Sequence, residues 1–244
     1  MPFSSIRRTA RKVSIMKERV DDLNENFEHY IGVFDDAVTF SGPSLYFHFR
    51  TLERARDLGS LEAVLNDELF LEYLYATLAS WGLHRMGKTS TKLVDFRVLR
   101  GCISSCSPDL IELGKYELLN ISENQLDEVN QRLGDLISKI DISASSTQLV
   151  AGSKAIHHIL PELVPPIDRR YIIQFFYGRG GTYPGMPTGG DRRVFKEMYQ
   201  IFHYIGQNNK EEIEGFKGQG FHTSSTKVID NAIIGFVIEN LPIK

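Results

Sequence analysis

The residues best suited to chemistry lie between Leu149 and Tyr177, where Gly152-Ser153-Lys154-Ala155 is followed by Pro165-Pro166-Ile167-Asp168. Lys154 stands near the start of a helical stretch that must end before Pro161, and Asp168 is placed to cap the next helix. A lysine amine becomes a nucleophile once its proton is removed, and a neighbouring carboxylate can assist that removal. A short, proline-stiffened connector makes the two helices near-antiparallel neighbours, so Lys154 and Asp168 can face one cleft.

Other candidate groups are weaker. His157 and His158 are adjacent, so they point to different parts of a helix and do not form the i, i+4 pair that a metal wants. Cys102 and Cys106 have that spacing, but no second pair exists; two small buried side chains, no metal and no cofactor are the expectation. Lys227 and Asp230, at i, i+3 behind the cap cluster Ser224-Ser-Thr, read as an exposed ion pair on the last helix. Trp81, just before Gly82, reads as a core anchor at a helix end or a platform for stacking a base. Between Gly178 and Asp191 the chain carries six glycines and two prolines, a loop at 178–190 that cannot be regular structure. Arg169, Arg170, Arg179, Arg192 and Arg193 bracket it, so its amides and these guanidinium groups could hold a phosphate; a surface insertion is the plainer reading.

The elements that must position these groups are helices throughout. Ile6, Ala10, Val13, Met16, Val20, Leu23, Phe27, Tyr30 and Phe34 recur in steps of three and four, which predicts one long helix with a single apolar stripe. Pro43 starts a second helix and Ser60 caps a third that runs to about Gly82. Ser90 or Thr91 caps a fourth, Pro108 begins a short fifth, and Ser122 with Gln125 forms a capping box for a sixth through Ile140. Beyond a Ser-rich joint at 141–147, helices are expected at 147–160, 168–177, 191–207 and 224–240. No two-residue alternation interrupts this pattern. The fold class is therefore all-α, with an N-terminal region 1–140 and a C-terminal region 147–244, or one continuous domain.

The Gly-x-Lys at a helix start, the Asp after a Pro-Ile pair and the aromatic helix that follows resemble the helix-hairpin-helix DNA glycosylases, especially the 8-oxoguanine type. Leu78-Ala-Ser-Trp-Gly82 marks a divergent branch of that resemblance. It implies an all-α, multi-helix orthogonal bundle in which Lys154 attacks C1′ of a damaged nucleotide to form a Schiff base. Asp168 would assist the deprotonation and stabilise the oxocarbenium-like transition state, and the target base would be flipped out against Trp81 or Tyr171. Gly152 and Ser153 would approach the DNA backbone, with Arg169, Arg170, Arg179, Arg192 and Arg193 on phosphates. The alternative is a non-enzymatic all-α protein that binds nucleic acid or another protein and has lost the chemistry.

Composition sets the outer limits. At 244 residues, 42% hydrophobic and 24% charged, the chain has enough apolar material for a sizeable core, which excludes disorder and low complexity. The longest apolar run is too short for a bilayer, and the N-terminus has no secretory pattern, so a cytoplasmic protein without a membrane partner is expected. A net charge of −3 argues at first against DNA. Its distribution tempers that: residues 1–20 hold six basic side chains against one acidic, and 151–200 seven against four. The acidic excess sits in 101–141, eight against three, so the total leaves DNA open as a partner without establishing it.

Overall fold

The computed structural model describes Phe3 and residues 10–37, 40–83, 92–145, 148–178 and 190–241. The helices in the first half are α1 (Ala10–Glu25), α2 (Phe27–Ala37), α3 (Pro43–Leu58), α4 (Leu61–Asn66), α5 (Glu68–Leu78), α6 (Phe96–Leu113) and α7 (Glu123–Lys139). The second half adds α8 (Leu149–Ile159), α9 (Ile172–Tyr177), α10 (Gly190–Asn208), α11 (Lys210–Phe216) and α12 (Ser225–Asn240). Among the described residues there is no β-strand, only an isolated bridge between Leu93 and Ser143. The all-α expectation holds at that level, and no described helix is long and apolar enough to cross a membrane.

Several boundaries differ from the sequence pattern, each for a local reason. The stripe predicted as one helix is shared by α1 and α2, which abut at Asn26; its amide side chain turns back to Asp22. The helix expected from Ser60 to Gly82 is cut at Asp67. That carboxylate accepts from Phe70 N at 2.7 Å, capping α5, and from both arms of Arg54 at 2.9 and 2.6 Å. Pro108 does not start a helix but lies inside α6, because the carbonyl that loses its donor, at Ser104, is on the exposed side where water can replace it. Asp95 caps α6, the proposed caps Ser90 and Thr91 lie outside the described residues, and Ser60 caps α4 as expected.

The helices enclose one apolar core that draws on both sides of the 141–147 joint, with α2 against α12, α7 against α10 and α5 against α8. At its centre α12 is buried continuously from Ser225 to Val237. It can lie there because Gly235 faces the backbone of α2. A Cβ at that position would stand 1.9 Å from the Tyr30 carbonyl oxygen, inside any permissible contact. The N-terminus of α12 is tied to the connector after α8: Thr226 Oγ1 donates to Pro161 O at 2.6 Å and Ser225 N to Glu162 Oε2 at 3.1 Å.

Gly235→Ala is expected to destabilise the protein by about 3 kcal/mol or more, since backbone must move to admit the methyl group. Gly32→Ala, on an open face of α2 with nothing within 4 Å, is expected to stabilise it by about 0.4–1 kcal/mol. Urea unfolding of the two variants checks both signs, and equal effects would refute the close-approach argument.

Candidate active site: a buried lysine pair on Trp81

The helix α5 ends in a single wide turn, Ala79–Leu83, broken by Gly82 at φ 87°. That left-handed residue, easy for glycine, ends the helical ladder and leaves the Trp81 carbonyl available. Lys154, midway along α8, donates to it: Nζ lies 3.2 Å from Trp81 O and 5.5 Å from the centre of the indole ring. The indole is itself fixed, Nε1 donating to Ser44 O at 3.0 Å. With 8% of its surface exposed, Lys154 is a core residue on an otherwise apolar helix.

A second ammonium shares the same ring. Lys227 Nζ lies 5.8 Å from the Trp81 centroid and 5.4 Å from that of Phe40, and it is ion-paired with Asp230 Oδ2. The sequence pattern suggested an exposed pair; the structure corrects this, since Lys227 and Asp230 are only 6% and 2% exposed. The reason is α12 itself. Val228, Ile229, Ala232, Ile233, Ile234, Phe236 and Val237 leave it no polar face, and a helix that is apolar all round is buried together with any charge it carries. That pattern was present in the sequence and is the signal that could have located this pair. Desolvation pushes the Asp230 carboxyl up to about 6, against the pull of Lys227; the negative charge of Asp168 pushes the same way and Lys154 opposes it.

Three imidazoles complete the wall. His158 Nδ1 is 2.7 Å from Lys154 O and must donate to it, so its Nε2 accepts from His48 Nδ1 at 2.9 Å. His48 Nε2 then accepts from Thr223 Oγ1 at 3.4 Å. His157 donates through Nδ1 to Val164 O at 2.8 Å, and its buried Nε2 has no partner. Burial, followed by the neighbouring imidazoles, holds His48 and His157 well below the ordinary 6.5; burial alone leads for His158, at about 4. All three are neutral, and no three His, Cys, Asp or Glu among the described residues could hold a metal ion.

The chain neighbours of Asp168 and Lys154 are tied together, Ile167 N donating to Ser153 Oγ at 3.1 Å. Half-buried, Asp168 accepts from Tyr171 N at 2.7 Å, but α9 starts only at Ile172 with Tyr171 at its N-cap and no side-chain cap, so Asp168 closes the turn ahead of the aromatic helix rather than capping it as expected. Arg169 and Arg170 beside it are exposed, and Arg170 lies 5.3 Å over the buried Tyr171 ring. Across family models, curated proteins and solved structures, nothing matches this chain. The geometry therefore has to be read on its own terms.

On those terms, several expected nucleic-acid contacts fall elsewhere. Gly152 and Ser153 are buried, and a Cβ on Gly152 would stand 2.9 Å from the Ile140 side chain, so neither has a surface to offer a phosphate. The first amides of α8, Gln148 N and Leu149 N, are held by Asp191 Oδ2 at 2.6 and 3.3 Å; a carboxylate already sits where the helix end would attract an anion. Arg192 pairs with Asp135 at 2.8 Å and Arg193 with Glu197 at 3.6 Å. Arg179 and most of the Gly-rich loop lie outside the described residues.

The three neutral histidines make stability fall in acid. Below about 6.5 the unfolded chain takes up protons that the folded chain refuses, so their contribution is complete above that pH and is lost as the pH falls below it, with the folded His158 taking its proton only at about 4. Asp230 works the other way: the folded form binds a proton from about 6 down to the ordinary 3.8, which adds stability there. Three imidazoles outweigh one carboxyl, at about 1.4 kcal/mol per pH unit for each proton of difference. The melting temperature, followed by circular dichroism, should drop steeply from pH 6.5 to 5, and His48→Gln should flatten the slope. A flat wild-type profile would show that these imidazoles protonate in place.

Proposed function

We propose that this chain is a DNA glycosylase/lyase-like protein of the helix-hairpin-helix type, acting on damaged or abasic DNA through Lys154 as a Schiff-base nucleophile. The observation that carries the reading is the burial of Lys154 against Trp81 beside a second cation, Lys227. A lysine removed from water next to another positive charge reaches its neutral, nucleophilic form more readily than a surface lysine. Asp168, joined to the Lys154 helix through the Ser153–Ile167 hydrogen bond, supplies the negative charge that an oxocarbenium-like sugar needs. Trp81 offers an aromatic wall for an extruded base, and exposed Arg169 and Arg170 offer cations for flanking phosphates. Arg179, Arg192 and Arg193 belong to the same reading, the last two as rim residues already paired with acidic neighbours.

A second reading is favoured by one observation, the Asp191 carboxylate on the amides of α8. A protein that kept the all-α frame but gave up backbone contact with DNA phosphates would serve as a binding or interaction module. Borohydride trapping separates the two. The protein is incubated with duplexes carrying an abasic site or 8-oxoguanine, and the reduced adduct is resolved on a denaturing gel. The enzyme reading expects an adduct with the wild type that Lys154→Gln lowers at least about 100-fold. No adduct on either substrate, or an undiminished one in the variant, would overturn it in favour of the interaction module.

A further inference from the structure

Lys227 enters the reading above only as a charge beside Lys154, and Asp230 has no part in it. A buried ion pair is weak evidence for stability, because desolvating both charges offsets most of their attraction. The geometry of this pair is specific. Lys227 Nζ donates directly to Asp230 Oδ2, three residues on, while Oδ1 is fully buried and has no hydrogen-bond partner. A carboxylate left half-satisfied away from water is a poor anion and a ready proton acceptor. The ammonium stands 5.4 Å from the centre of the Phe40 ring and 5.8 Å from that of Trp81. Both rings are only half-buried, so they lead from the pair to the surface. Lys154 stays outside the pair, its amine donating to Trp81 O at 3.2 Å. The other charged and titratable groups facing the pair are Lys154, His157 and His158 on α8, Asp168 on the connector and His48 on α3. Groups on the remaining packed elements are engaged elsewhere: Tyr30 with Asp22 and Asn240, Asp35 with His222, Arg19 with carbonyls of α9, and Glu162 with Ser225 N and Lys217. The phenol of Tyr199 on α10 is buried in the core and held protonated.

We propose that Lys227, with Asp230 as its own proton acceptor, is a second amine site, one that binds small aldehydes of apolar or aromatic body as imines. Neither DNA nor the Lys154 amine takes part. In the step, the Lys227 ammonium passes a proton to Asp230 Oδ2 along the hydrogen bond that already joins them, giving a neutral amine and a carboxylic acid. Transfer within the pair removes both buried charges, which a low-dielectric site favours. The amine nitrogen adds to the aldehyde carbon, forming a C–N bond, and a proton moves from nitrogen to the former carbonyl oxygen to give a carbinolamine. Asp230 then gives its proton to the departing hydroxyl, which leaves as water, and a protonated imine faces the Asp230 carboxylate. Atoms balance without any further reactant, and the pair is neutral overall at every stage, so no charge is left buried alone. Phe40 and Trp81 are the walls against which the body of the aldehyde packs.

The test treats the full chain, without DNA, with benzaldehyde and cyanoborohydride, and locates the reduced adduct by peptide mapping and mass spectrometry. In the wild type, Lys227 should label at least about 10-fold faster than the exposed Lys92. Its rate should fall on the acid side with a midpoint near the Asp230 value of about 6, because a protonated Asp230 accepts nothing. Lys227→Arg, which keeps a cation opposite Asp230, should remove this adduct and leave the melting transition in place. Asp230→Asn takes away both the acceptor and the acid for the departing hydroxyl, and should slow labelling about 100-fold and abolish the acid limb. Where that variant does not fold, Phe40→Ala keeps the comparison open: benzaldehyde labelling should drop about 5-fold, while labelling by formaldehyde, which needs no aromatic wall, should not. Adducts on Lys154 or on surface lysines without one on Lys227, or a Lys227 rate indifferent to pH and to these substitutions, would overturn the proposal. The DNA reading stands or falls separately, on trapping at Lys154.

Discussion

The close approach of α12 to the backbone of α2, made possible by the missing side chain at Gly235, is the constraint on which the rest depends. It draws a helix without a polar face into the centre of the molecule and carries Lys227 and Asp230 with it. Once these are sealed in, desolvation acts on the Asp230 carboxyl and on the buried imidazoles nearby. The imidazoles of His48, His157 and His158 stay neutral, and Asp230 holds its proton more tightly than an exposed carboxyl would.

The charges round Trp81 are arranged in a balance that packing alone does not require. Two ammonium groups approach one indole, and two carboxylates lie within electrostatic reach of each other. A core of the same volume built from aliphatic side chains would avoid the desolvation of four charged groups and would be at least as stable. Burial of this kind alters the proton affinity of a charged group, as it does for the Asp230 carboxyl. The histidine row behind Lys154 supports the arrangement mechanically. By donating to the Lys154 carbonyl, His158 links α8 through His48 to Thr223 just ahead of α12.

Much of the frame could be read from the sequence, and the exceptions have identifiable causes. The helical period was clear, and the caps at Ser60 and Ser224 act where their side chains can reach the next turn. The breaks at Asn26 and Asp67 were not legible, because Asp67 becomes a stop only when Arg54, from another helix, grips both of its oxygens. The short α11, from Lys210 to Phe216, has too few apolar residues to signal itself; Ile213 is its only buried one. At the candidate site, Lys154 and Asp168 were visible as types at a spacing. Lys227 and Asp230 were visible only as a surface-like pair, since local spacing says nothing about what covers a helix. Gly152 and Ser153 show the reverse error: residues that look made for a ligand serve the joint between α7, α8 and the connector.

The pairing of α2 with α12 joins residues that are far apart in the chain, as the hydrogen bond from Asn240 to Tyr30, separated by 210 positions, illustrates. During synthesis, the apolar side of α2 formed by Phe27, Tyr30, Ile31 and Phe34 has to wait for the distant α12 to be made before it gains its partner. The early helices cannot complete their core in that interval, and such long-range closure is intrinsically slow. The molecule is in effect a ring fastened at its clasp. A ribosome-bound or prematurely ended chain that stops short of Phe236 would present that apolar side to chaperones and proteases, and its lysine site would be open to water.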